Sequence, residues 1–284
     1  MDAIYERPRD YDLEHEGDDE DIEFYTRLVR QLRPRRVLEL ASGSGRLTIP
    51  LAAVAEELNL QIVGLEIAPP MLREAERKKA ELGPAAVDRV DFTEGDIRTW
   101  RSEDPFDLII SPCSSLSHLL TIDDQLDTWR TAYRNLVPGG RFIADLAMPN
   151  LTVYAESMQT PPRTTLEIDI DTSDPETGTR LLRYKTTRYK PHEQRAEIRF
   201  LYDKFPGGRQ VDRYVSDFEC HVYYPREVEL LFRCTGFELE SSYGNYNMRP
   251  LRHTSRQMIM VGRRPAGQAD PRPAEAPPLQ SVRA

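Results

Sequence analysis

The run Arg36-Val37-Leu38-Glu39-Leu40 passes directly into Ala41-Ser42-Gly43-Ser44-Gly45, and no other feature limits the fold as much. A short apolar run, a glycine-rich turn and then helical spacing from about Leu47 to Leu58 read as strand, turn, helix. Such a unit lets backbone amides approach a ligand at a helix N-terminus. The dinucleotide signature G-x-G-x-x-G needs a third glycine where Thr48 stands, so a nicotinamide oxidoreductase is disfavoured. The rhythm then repeats: Gln61 to Glu66 is a second strand, Pro69-Pro70 opens a helix to about Leu82, and Val90 to Glu94 is a third strand. Phe106 to Ile110 and Arg141 to Leu146 follow as strands, with an amphipathic helix from Asp123 to Leu136 between them. Strands and helices alternating at crossover spacing predict an α/β fold with a doubly wound, mostly parallel sheet.

After Asn150 the pattern changes. Thr165–Asp171, Arg180–Tyr189, Arg195–Lys204 and Arg213–Tyr223 alternate polar and apolar residues, which predicts half-exposed antiparallel strands. A helix from Pro225 to Cys234 and strands Phe237–Tyr243 and Ser255–Arg263 return to the main sheet and bring it to seven strands. The expected organisation is an acidic leader and helix (1–34), a ligand-binding core (35–150) and an antiparallel insertion (151–220). The rest of the core sheet (221–264) and a disordered, proline-rich tail (265–284) complete it.

Charge narrows the partners. The 284 residues carry 47 acids and 38 bases, net −9. Residues 1–23 alone hold eleven acids against Arg7 and Arg9, which leaves a body of 36 acids and 36 bases. A neutral body argues against neutralising duplex nucleic acid. No apolar run is long enough to span a membrane, and the acidic start lacks the apolar region of a secretory signal. Cys113, Cys220 and Cys234 lack metal or disulfide spacing, so no metal is expected and the cytoplasm is the simplest location.

The chemistry lies at the strand ends. Glu39 stands two residues before the turn begins, where a carboxylate suits an ammonium rather than a pyrophosphate. Glu66 ends the second strand, twenty-one residues past Gly45, at the position that holds a ribose diol in doubly wound nucleotide folds. Gly95-Asp96-Ile97 follows the third, with an acid able to accept from an exocyclic amine. Three carboxylates in register fit an adenosine joined to an amino acid.

In this order Glu39–Arg46, Glu66, Gly95-Asp96-Ile97, Phe106-Asp107 and Pro138-Gly139-Gly140 resemble the motifs of class I S-adenosylmethionine-dependent methyltransferases, which are Rossmann-like. Ala41 stands where that family usually has glycine. Ser114–Leu119, Tyr223–Val228, Gly244–Asn247 and Tyr11-Asp12 are similar to stretches of glycine N-methyltransferases and aminosugar N,N-dimethyltransferases. Ser111-Pro112-Cys113 lacks the second proline and the aromatic of the amino-group nucleic-acid enzymes.

The resemblance implies S-adenosyl-L-methionine as cofactor. Glu39 with the Gly43–Gly45 turn and Ala41 would meet its methionyl part, Glu66 the ribose, Met71, Asp96 and Ile97 the adenine, and Cys113 the sulfonium, with Arg46 and Ile67 also in contact with the cofactor. Tyr11 would close over it, with Tyr11, His118 and Tyr224 on the acceptor side and His118 as base. The activity implied is methylation of a small-molecule acceptor, at nitrogen before oxygen. A non-catalytic cofactor-binding regulator is the alternative. The insertion is expected to roof the acceptor or to form a homodimer contact, and the acidic leader to fold over the site as a lid.

Overall fold

The computed structural model describes residues 3–210 and 212–267. The leader contains α1 (Pro8–Glu14) and α2 (Glu20–Leu32). The core then alternates β1 (Arg36–Leu40), α3 (Thr48–Leu58), β2 (Gln61–Glu66), α4 (Pro69–Lys79), a single turn α5 (Pro84–Val87), β3 (Val90–Glu94), β4 (Phe106–Ser111), α6 (Ile122–Asn135) and β5 (Leu136–Ala147). After α7 (Leu151–Ser157), β6 (Glu167–Ser173), β7 (Arg180–Lys190), β8 (Arg195–Phe205) and β9 (Asp212–His221) form the insertion. The chain returns through α8 (Pro225–Cys234), β10 (Glu238–Tyr243) and β11 (Gln257–Arg263).

The main sheet has the order β3-β2-β1-β4-β5-β11-β10. Its first five strands are parallel, and β11 runs antiparallel to both β5 and β10. The seven-stranded, mostly parallel sheet with a separate antiparallel insertion is the architecture expected from the sequence. Strand order reverses between β1 and β4, and the crevice outside the strand ends at such a point is where open α/β sheets bind ligands. Alternate β1 side chains feed opposite layers. Leu38 and Leu40 pack with Trp129, Phe142 and Phe232 under α6 and α8, whereas Val37 packs with Val29, Leu51 and Ile62 under α2 and α3. Glu39 shares the Val37 face.

Two elements add to the expected pattern. The segment at Leu151 opens with α7, capped by the Asn150 side chain, which accepts from the Thr152 and Val153 amides at 3.0 and 3.3 Å, and strand begins only at Glu167. The leader forms α1 as well as α2, because its few apolar residues reach distant partners. Ile4 is buried with Leu181 and Tyr202 of the insertion. Arg7 pairs with Asp212 at 2.8 Å, Asp10 with Lys204 at 2.7 Å, and Glu14 with Arg183. The expected disordered tail lies, from residue 268 on, outside the described residues. Among the described residues no helix is long and apolar enough to cross a membrane, and no cluster suited to a metal occurs.

Candidate active site

The turn after β1 is held by close approach. Ala41, Gly43 and Gly45 all have positive φ, 56°, 58° and 77°. A Cβ on Gly45 would lie 2.9 Å from Phe92 Cζ and 3.3 Å from Ala75 Cβ, so only glycine fits there. Ala41 adopts the left-handed backbone that explains why a glycine usually stands at its place. The Ser42 amide donates to Leu65 O at 3.0 Å and the Gly43 amide to Glu66 Oε2 at 2.8 Å, tying the turn to the end of β2.

Glu39 lies beneath this turn, 2% exposed, and accepts from Thr48 Oγ1 at the start of α3. Burial pushes its carboxyl up to about 8, against the opposing pull of the Thr48 hydroxyl and the Arg46 charge. A buried acid held this high gains from any cation brought beside it. Glu66 is 6% exposed and also accepts from the Ile67 and Ala68 amides at 2.9 and 2.8 Å. Met71 is buried behind it, while Ile67 stands 54% exposed. Asp96 follows β3, and Arg98 grips both its oxygens, at 2.6 Å on one, while reaching Asp124 at 2.7 Å. That side-chain hydrogen bonding holds the Asp96 carboxyl below its ordinary value. Arg98 is a neighbour that sequence reasoning missed. Ile97 packs against the core.

Arg46 leaves the turn to pair with Asp21 at the start of α2 and to donate to Cys113 Sγ at 3.0 Å. The leader covers the same region. Asp12 accepts from Ser44 Oγ at 2.5 Å and pairs with Lys78 of α4 at 2.6 Å. The Tyr11 ring comes within 3.9 Å of where a Gly43 Cβ would be, and burial raises its hydroxyl well above the ordinary value. His118 ends a short turn after β4 and meets the Tyr5 hydroxyl at 2.7 Å, with the Phe218 ring of the insertion 5.8 Å away. Tyr224 stands at the start of α8, where its amide donates to Glu227 at 3.2 Å, and it makes no hydrogen bond to the turn among the described residues.

A cavity of about 1050 Å³ opens beside Arg46 and Cys113, between the start of α2 and the β10–β11 connection. Asp145, 2% exposed near the end of β5, lines it. Its Oδ2 accepts from Tyr246 at 3.0 Å and Tyr25 at 3.3 Å, and burial pushes the carboxyl up to about 7. Sequence reasoning passed over this residue. The available signal was a lone charge inside the apolar run Phe142–Leu146.

Residues 37–140 match a family described as a methyltransferase domain. The putative methyltransferase YqeM of Bacillus subtilis is 30% identical over 112 residues, 39% of this chain and 42% of that protein. The trans-aconitate 2-methyltransferase of Streptomyces avermitilis is 36% identical over 109 residues, 38% of this chain and 37% of that protein. The matches thus span about two fifths of these curated relatives. The sugar N-methyltransferase KedS8 from a Streptoalloteichus species superposes with a TM-score of 0.65 at 18% identity, covering 90% of this chain and 92% of that one. Residues 37–140 are thus similar to methyltransferase domains, in a chain that has the fold of the class I S-adenosylmethionine-dependent methyltransferases.

Proposed function

We propose that the protein transfers a methyl group from S-adenosylmethionine to a nitrogen of a small-molecule acceptor. The observation that carries this reading is that buried Glu39, Glu66, which accepts from the Gly43 amide, and Asp96 lie at or just past the C-terminal ends of three adjacent parallel strands, with Arg46 of the same turn lining a large cavity. The cofactor fits these residues. Glu39 is a buried carboxylate whose charged form needs a cation, and among the described residues the buried Ser42 hydroxyl in the turn has no partner.

Glu39 and the Gly43–Gly45 turn, with Ala41 and Arg46, would hold the methionyl end, Glu66 and Ile67 the ribose, and Met71, Asp96 and Ile97 the adenine. When bound, the cofactor supplies a methyl group on a positively charged sulfur, open to in-line displacement. The protein's task is then alignment and exclusion of water. Tyr11 and Asp12 close the leader over the turn, and Cys113 walls the path to the acceptor. An amine attacks only when neutral, and His118, oriented by Tyr5, is the proposed proton acceptor, with Tyr224 on the acceptor side.

Two further assignments belong to this reading. The acceptor is a small molecule rather than a nucleic acid, in keeping with the neutral body. A second copy of the chain would pack on the insertion, whose outer face carries Ile168, Tyr184, Leu201 and Val215 in one cross-strand row, Ile168 62% and Val215 44% exposed. A reading as an oxygen methyltransferase draws on the likeness to the trans-aconitate enzyme. Incubation with methyl-labelled cofactor and a library of amines and carboxylic acids, followed by fragmentation of the products, decides. N-methylated products support the proposal, and methyl esters replace it with the second reading.

A further inference from the structure

The large cavity has two walls of opposite character. At its inner end Arg46 is already neutralised by Asp21, and Asp145, with Asp18 and Glu20 before and at the start of α2, supplies the carboxylates that face the space. Both tyrosine hydroxyls go to Asp145 Oδ2, and no hydrogen bond to Oδ1 occurs among the described residues. The outer wall, the connection from β10 to β11, carries Arg249, Arg252 and Arg256. All three are exposed, and among the described residues none has a carboxylate within ion-pair distance.

The wall is preformed. Gly244 donates to Arg249 O at 2.8 Å, Arg249 donates to Asn245 Oδ1 at 3.2 Å, and the Arg252 amide is held by Ser255 Oγ at 3.0 Å. A Cβ on Gly244 would fall 2.0 Å from Ser255 Oγ, so the loop is closed on itself. Tyr246, from the same loop, is one of the two donors to Asp145, which ties the cationic wall to the acidic end. Three like charges on a fixed backbone repel one another until an anion sits among them, and planar guanidinium groups suit phosphate and carboxylate oxygens.

From this arrangement we infer that the cavity takes an acceptor bearing both an amine and an anionic group, a phosphate or a carboxylate. Arg249, Arg252 and Arg256 hold the anion while Asp145 draws the amine to the inner end beside Cys113. The inference rests on the amine-methylating reading and names the acceptor class for it. Asp145 acts here as a positioning residue, and the separation of the two walls fixes which end of the acceptor meets the methyl group. A cavity of this volume suits a ligand larger than a simple amino acid.

Calorimetry on the full chain loaded with S-adenosylhomocysteine tests both ends without requiring turnover. Inorganic pyrophosphate is the probe for the arginine wall. It is expected to bind at low salt and to lose at least tenfold in affinity in the Arg249→Gln/Arg252→Gln/Arg256→Gln variant, with S-adenosylhomocysteine affinity unchanged. Phosphoethanolamine against ethyl phosphate probes the inner end. The amine is expected to bind several-fold tighter, and Asp145→Asn to remove that advantage. No pyrophosphate binding, undiminished binding in the triple variant, or equal affinity of the two phosphates overturns the inference. Because these readouts are binding constants, failure to methylate any amine counts against the nitrogen reading alone.

Discussion

Titration of Glu39 gives a quantitative handle on the proposed cofactor site. In the cofactor-free protein burial lifts this carboxyl from its ordinary 4.5 to about 8, so at pH 7 it is mostly protonated. An α-ammonium beside it favours the anion, and ligand binding below pH 8 must therefore expel a proton. The bound pKa lies far below the free one, so affinity falls as the fraction ionised before binding falls. Between pH 8 and pH 6 that fraction drops about 50-fold, or about 2.3 kcal/mol at 1.36 kcal/mol per decade. S-adenosylhomocysteine keeps the amino-acid end and cannot react, so it is the ligand to titrate. Calorimetry at pH 7 in buffers of different ionisation enthalpy should find about 0.9 proton released per ligand bound. Glu39→Gln fixes the side chain in a form like the protonated one. It should flatten the pH profile and bind at pH 8 about as weakly as the native protein does at pH 6. A native affinity independent of pH between 6 and 8 would refute the assignment. So would a Glu39→Gln protein with the native slope, since Asp145, pushed up to about 7, would then be the group responsible.

Other perturbations read other parts of the site. Removing residues 1–18 breaks the Asp12 contacts to Ser44 and Lys78, and should raise the S-adenosylhomocysteine Kd about tenfold, the worth of one charge-assisted hydrogen bond; an unchanged Kd leaves the leader no part in binding. Gly45→Ala forces a Cβ against Phe92 at a φ of 77° and should cost about 2–4 kcal/mol in denaturant unfolding, whereas Ala41→Gly relieves a left-handed alanine and should gain about 0.5–1 kcal/mol. His118→Gln should lower kcat about 100-fold at pH 7 with cofactor affinity intact and remove the acidic limb of the kcat profile; an unchanged profile would take His118 out of proton transfer. Glu39, Asp145 and Glu14 (pushed up to about 7) all have folded-state values raised above the unfolded ones. Their contribution to stability is full below about pH 4 and is lost as pH rises through 7 to 8. The melting temperature of the cofactor-free protein should therefore fall over that window, and fall less steeply in Glu39→Gln.

What the sequence disclosed and what it hid divide along contact distance. The run from Arg36 to Gly45 was legible because its meaning is local: apolar residues, then positions that only small residues can occupy. The strand ends Glu66 and Glu94 were legible for the same reason, since alternation and turn residues bracket them. The Asp12 clip to Ser44 and Lys78 was not, because it joins residues 32 and 66 positions apart whose pairing depends on how α1 lies over the turn. The α1 helix itself was lost in the acidic leader, where its apolar residues are too sparse to show a period and answer to the insertion rather than to one another. Asp145 was passed over because its strand reads as core. Only the folded sheet shows that this one position faces a cavity and two tyrosine hydroxyls. Asp96 was placed correctly in the chain, yet its grip by Arg98 depends on a short loop whose side-chain geometry no spacing rule supplies.

The central claim is methyl transfer to nitrogen from a cofactor seated at the Gly43–Gly45 turn. Its most direct measurement is the stoichiometry of the reaction: S-adenosylhomocysteine formed against N-methyl product formed, from the same incubation, for the native protein and for Glu39→Gln. Equal amounts of the two products in the native reaction, both suppressed in the variant at limiting cofactor, is the predicted result. Cofactor that binds tightly but yields neither product with any amine in the library would contradict it.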